Sequence, residues 1–344
     1  MAPNANHKKN NQSGHKGKHH SHAAKKPKVP KSNKKNKVVI PKPPPALVKF
    51  PYVALPAADE LETMKFSFVL FFLKIYKVLM ILHGLLCSKG LASTTDLDID
   101  FKDLLQITKN ENKKDPTGFM PNQITPKDVQ ECITTRNETD HLQLNDIQQH
   151  WRSRISSYAI LCDSANNPTT ATEIRTVSSQ MNVGNLSGIV QFAFSFSSSF
   201  SLAQGFGISL IIYAILLRYL AKIVRTFLIG KLGFQNITLD LDANLKFIKD
   251  ELLKNPDFID IGGSQRGDAG LFQRLYHTRL CYAHGWFSIA WNSWEAQLQG
   301  IIDALHLLKA TTEAAEVQLI FDKLVRYKNE GLVVTDAEFN VMDL

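Results

Sequence analysis

Residues 188–217 run for 30 positions without one acidic or basic side chain and end in Ile208-Ser209-Leu210-Ile211-Ile212-Tyr213-Ala214-Ile215-Leu216-Leu217. Such a stretch must be hidden from water, either in lipid or inside protein. As one helix it would measure about 45 Å, against a hydrocarbon core of roughly 30 Å. One straight span over the whole stretch is therefore not expected. The expected arrangement is a membrane helix from about Leu202 to Leu217, preceded by a Ser- and Phe-rich segment lying on the lipid. A tight helical hairpin across all 30 residues is the alternative and would raise the number of spans from two to three. Directly after it, Arg218, Lys222 and Arg225 fall at i, i+4 and i+7 among apolar residues, and Lys231 follows. Residues 218–234 thus read as a basic amphipathic helix on a membrane surface.

A second apolar stretch, residues 66–87, is interrupted only by Lys74, Lys77 and His83. Its 22 residues are enough to cross a bilayer, but two lysines three apart near its centre would each cost roughly 2.5–3.5 kcal/mol there. Two further readings stay open. The run Val78–Cys87 followed by small residues resembles the end of a signal peptide behind an abnormally long leader. Alternatively, the segment lies in the plane of the interface with both lysines on its polar side.

The rest of the chain is polar. Residues 93–187 hold turn signals at Asp115-Pro116, Met120-Pro121-Asn122 and Asn166-Asn167-Pro168 and read as a small separate domain. Residues 238–344 read as a helical end domain, with helices at about 241–254, 270–309 (broken near Gly285 or Gly300) and 312–329. The expected fold class is therefore mainly α. Basic residues flank the first span on its N-terminal side and the second on its C-terminal side, which places both termini in the cytoplasm or virion interior and 93–187 in the lumen or outside. That side would glycosylate Asn137 in Asn137-Glu138-Thr139 and oxidise Cys132 and Cys162 to a disulfide. Asn185-Leu186-Ser187 is a second sequon in that loop, close to the membrane; Asn11-Gln12-Ser13 and Asn236-Ile237-Thr238 lie on the opposite side.

Residues 1–58 contain 13 Lys, five His and nine Pro but no Asp, Glu or Arg. Removing that +13 from the formal +8 of the chain leaves −5 for residues 59–344. With no aromatic before Phe50, the segment cannot bury enough apolar area to offset the entropy of ordering it, so a disordered basic arm is expected. Its lysines, Lys8, Lys9, Lys16, Lys18, Lys25, Lys26, Lys28, Lys31, Lys34, Lys35 and Lys37, are candidates for contacts with nucleic-acid phosphates. Each contact releases counterions, so binding would be independent of sequence and sensitive to salt. An anionic lipid surface beneath the first span is the competing partner.

No catalytic pattern is present: Gly-x-Ser-x-Gly, His-Glu-x-x-His, the phosphate-binding loop and the dinucleotide fingerprint are all missing. His277, Cys281 and His284 share a helical face at i, i+4 and i+7, a spacing that would suit zinc. They stand among Tyr276, Tyr282, Trp286, Trp291 and Trp294, the composition of a packing face. Neither an enzyme, a metal nor a cofactor is expected. The alternating Phe192-Ala193-Phe194-Ser195-Phe196-Ser197-Ser198-Ser199-Phe200 has the pattern of a strand, and of membrane-perturbing peptides.

The layout of basic arm, membrane segments at 66–87 and 188–217, basic strip and end domain resembles that of the virion membrane proteins of negevirus-like and cilevirus-like plant and insect RNA viruses. It departs from them in the 95-residue polar loop between the spans, and no motif matches residue by residue. The resemblance implies a structural protein of a virion envelope and host endoplasmic reticulum or other endomembrane, with its arm on the RNA genome and partners among its own copies or other virion proteins. A cellular endomembrane protein, its tail on anionic lipid and its end domain recruiting a partner, is the alternative. An internal capsid or nucleocapsid protein is a third class, and it requires residues 188–217 to form a buried core helix.

Overall fold

The computed structural model describes residues 57–95, 98–181, 188–197, 199–233, 240–259 and 267–339. The chain divides into two compact units, Met1–Pro44 and Pro45–Leu344, and every described residue belongs to the second. The arm lysines from Lys8 to Lys37 lie outside the described residues, as do Asn11, Asn185 and Asn236.

The molecule is mainly helical. Helix α1 (Ala57–Leu73) runs through a π turn (Lys74–Val78) into α2 (Leu79–Ser88). The segment expected as a polar loop forms α3 (Phe101–Lys114), α4 (Pro126–Asp140), α5 (Leu144–Ser164) and α6 (Pro168–Met181). After strand β1 (Ala193–Ser195), α7 (Leu202–Ile215) passes through a second π turn (Leu216–Leu220) into α8 (Ala221–Leu232). Helices α9 (Leu241–Lys254), α10 (Ala269–Ala283), α11 (Phe287–Leu307) and α12 (Thr311–Glu330) and strand β2 (Val333–Thr335) complete it.

Local chemistry explains most boundaries. Thr125 and Asp128 cap α4 reciprocally, with Pro126 at the first helical position. Ser201 and Gln204 do the same for α7, where the Ser201 amide donates to Gln204 Oε1 at 2.7 Å. The 270–309 pattern does break at Gly285, whose φ of +66° is in the left-handed region. There a Cβ would also lie 2.0 Å from the Ile99 carbonyl oxygen.

Two helices, Asp59–Ser88 and Leu202–Leu232, are long and apolar enough to cross a membrane. Within the fold, however, 67% of the most apolar window of the first and 83% of that of the second are buried against protein. Helix α5 lies along α1, α11 and α10 lie against α7, and the two apolar helices touch each other where Phe71 stacks on Tyr213 at 4.0 Å. Phe66 stacks on Trp151 of α5 at 4.5 Å, and Phe206 meets Phe287 of α11 edge-on at 4.6 Å. Helix α7 is apolar on every side because every side has a neighbour.

Several expectations are corrected here. The helix in residues 188–217 does start at Leu202, as expected; the alternative hairpin is not formed, and the basic stretch after Leu217 continues the helix to Leu232 rather than forming a separate interfacial helix. Residues 93–187 and 238–344 are not separate domains, since their helices clothe the two apolar ones. Of the alternation over Phe192–Phe200, Ala193–Ser195 forms a strand among the described residues. β1 pairs antiparallel with β2 in the register Phe194↔Val334. Phe194 then lies over Gly207, where a Cβ would come within 2.2 Å of its ring.

Candidate functional site

Lys74 and Lys77, alike in the sequence, separate in the fold. The π turn sends Lys74 inward, where it is 1% exposed, and leaves Lys77 half-exposed and paired with Glu173 at 2.8 Å. The Lys74 ammonium donates to Asp140 at the end of α4 and lies 4.4 Å from the Phe71 ring centroid. Burial pushes it down to about 8 although Asp140 beside it pulls the other way.

Asp140 is the centre of a buried polar network. Its second carboxylate oxygen lies 2.7 Å from Arg136 Nε, and Arg136 also donates to the Ala283 carbonyl at 2.9 Å. Arg136 is 3.9 Å from Asp100, the N-cap of α3, and Asp100 accepts from His284 Nδ1 at 2.7 Å. Burial raises the Asp100 carboxyl, but the His284 hydrogen bond, the Arg136 charge and the Lys102 amide outweigh it and hold it below its ordinary value. One residue before Asp140, Thr139 offers its carbonyl to the Tyr213 hydroxyl at 3.0 Å, which also bonds Ser67 at 2.6 Å. The network thereby joins α1, α3, α4, α7 and α10.

Its outer end is a cluster of His141, Asp240 and Asp242 whose ligating atoms lie within 4.8 Å of one another, as a metal site would require. The Arg279 guanidinium already stands among them. Nη1 is 2.9 Å from Asp242 Oδ2, and Nη2 is 2.9 Å from His141 Nδ1. Asp240 approaches the same imidazole nitrogen at 3.0 Å. A fixed cation thus supplies the positive charge that the carboxylates need, and a divalent ion would meet it at close range. A cavity of about 450 Å³ between Phe72, Tyr76 and Ile174 does not include these groups. The network ties its helices together, and its trace in the sequence is a lysine in an apolar run.

The residues singled out by sequence disperse. His277 is exposed and bonds Gln273, Cys281 is buried, and His284 faces Asp100, so the three do not converge. Trp291 and Trp294 pack with Phe196 at 5.1 and 5.5 Å, as a packing face should. The basic strip splits: Lys231 is exposed, Arg218 and Lys222 line a surface groove, and Arg225 is buried on Glu60 at 2.7 Å. Asn137 lies on α4, half-buried, its side-chain oxygen accepting from Arg136 at 3.2 Å, while Thr139 of the same sequon is fully buried. Cys132 and Cys162 are free, buried thiols, and the expected disulfide is not formed. Burial pushes each of them up to about 12, leaving almost no thiolate at neutral pH.

Compared with protein-family models, with curated proteins and with solved structures, the chain matches none.

Proposed function

We propose that this chain is a structural RNA-packaging protein, an internal capsid or nucleocapsid protein of an RNA virus, in which a helical body carries the lysine-rich arm that neutralises the genome. The observation that carries the reading is the burial of 83% of the apolar window of Leu202–Leu232 beneath helices whose outer faces are polar. With both apolar helices covered, lipid has little face to occupy. Arg152 of α5, Glu173 of α6 and Glu295 of α11 would otherwise have to enter the bilayer with them. The part left to act on a partner is the arm, with 13 Lys and no acid in residues 1–58. The body and arm have opposite formal charge, so the polyanion is drawn to the arm alone.

The test is RNA binding by the full chain and by a chain beginning at Ala57. Affinity of the full chain should be indifferent to RNA sequence and fall with salt on a log–log slope steeper than about −3, with a ceiling near about −9 if all the arm lysines engage single-stranded RNA. The shortened chain should lose at least about a hundredfold at about 50 mM salt. A flat salt dependence, or equal binding by the shortened chain, contradicts the proposal.

A second reading, an envelope-anchored virion protein or an endomembrane protein holding anionic lipid through its arm, is favoured by the length and apolarity of the same two helices. It requires the helical body to open so that α1 and α7 face lipid, and vesicle flotation of the intact chain in the absence of RNA would support it.

A further inference from the structure

Where the chain enters α1, the surface is incompletely closed. Two adjoining cavities, of about 320 Å³ and about 390 Å³, share Arg218, Tyr219 and Glu316 and form one groove between the start of α1, the α7–α8 junction and α12. Leu61 at one end is 47% exposed and Leu319 at the other is 70% exposed, among the most exposed large apolar side chains of the described residues. Its rim is mixed in charge, with Glu313, Glu316 and Glu338 set among Arg218, Lys222 and Lys323.

We propose that residues 46–55 of the same chain, Ala-Leu-Val-Lys-Phe-Pro-Tyr-Val-Ala-Leu, occupy this groove. Three observations select that occupant. The segment joins α1 at Ala57, one turn from Glu60 and Leu61, which line the near cavity. Six of its ten residues are large and apolar, unlike the polar sequence before it. Its one charge, Lys49, has acidic partners within the mixed-charge rim at Glu313, Glu316 and Glu338. At about 3.1 Å per residue an extended, proline-bearing segment of this length covers about 30 Å. Proline-containing segments of this kind lie well in aromatic-lined grooves, and Tyr219 and Phe339 line this one. Docking fixes the point from which the basic arm departs. It does so whether or not the arm's partner is RNA.

The test is amide hydrogen exchange on the full chain. An extended segment has no internal hydrogen bonds, so its amides are slowed only by docking. Residues 46–55 should exchange at least about tenfold more slowly than in a synthetic peptide of the same sequence, at a rate independent of protein concentration. Leu319→Asp should remove that protection while leaving the helical circular dichroism intact, and Leu253→Asp, equally exposed on α9, should not. Exchange at the peptide rate in the unaltered chain overturns the proposal, as does protection that survives Leu319→Asp. Protection that appears only as concentration rises assigns the groove to a second copy and overturns the same-chain occupant. Protection of the residues after Phe339 in place of 46–55 assigns it to the C-terminus and overturns it equally.

Discussion

Asp140 shows how one buried carboxylate organises this fold. It faces Lys74 and Arg136 at 0% exposure, so Asp140→Asn would leave two cations buried without their counter-charge. We predict a loss of about 3–5 kcal/mol in denaturant unfolding for Asp140→Asn. Lys74→Met should cost clearly less, because Arg136 still balances the carboxylate; equal losses would show that Arg136 does not. Asp100 gives the pH dependence. Its carboxyl is held below the ordinary value, so its contribution is complete above the unfolded value near about pH 4 and is lost as pH falls through the lower folded value. Asp100→Asn should therefore flatten the acid limb of a stability profile below about pH 4, and an unchanged limb would show that Asp100 contributes nothing to it. None of these pairings is legible in the sequence, since Lys74 and Asp140 are 66 positions apart and only tertiary packing joins them. The sequence does say that a lysine in an apolar run must find a partner.

At the scale of elements, turn and capping signals locate boundaries better than hydropathy does. The Asp115-Pro116 and Asn166-Asn167-Pro168 signals fall where α3 and α5 end, and the 241–254 and 312–329 patterns match α9 and α12 within a residue or so. The glycines separate into two kinds that substitution can distinguish. Gly285→Ala places a Cβ 2.0 Å from a backbone oxygen at a left-handed φ, and Gly207→Ala drives one into the Phe194 ring. Each should cost about 1–3 kcal/mol or more. Gly230→Ala in α8, where a Cβ meets nothing within 4 Å, should stabilise by about 0.5–1 kcal/mol. A stabilising Gly207→Ala would mean that β1 does not lie on α7. The basic strip after Leu217 differs from its sequence reading because amphipathicity alone does not say what covers the apolar side. Here Arg225 is buried on Glu60, a partner from the start of α1.

For the whole molecule, the decisive fact about the 30-residue apolar stretch is invisible in its own composition. Apolarity on every side is shared by a membrane span and a central core helix, and the composition of the stretch does not show which helices pack around it. Those helices, α10 and α11 among them, lie far along the chain and are ordinary amphipathic segments in sequence. The thiols report on the same closure: Cys132, Cys162 and Cys281 are buried and pushed up to about 12, 12 and 11. All three should resist alkylation in the native chain and react fully in denaturant without reductant, whereas a requirement for reductant would reveal a Cys132–Cys162 disulfide on an oxidising side of a membrane. Whether both apolar helices are interior to a folded body is tested most directly by alkaline extraction of membranes from cells expressing the full chain. With both helices interior, the protein should be recovered in the supernatant, monodisperse without detergent after removal of RNA. Retention in the carbonate-washed pellet until detergent is added would contradict that burial.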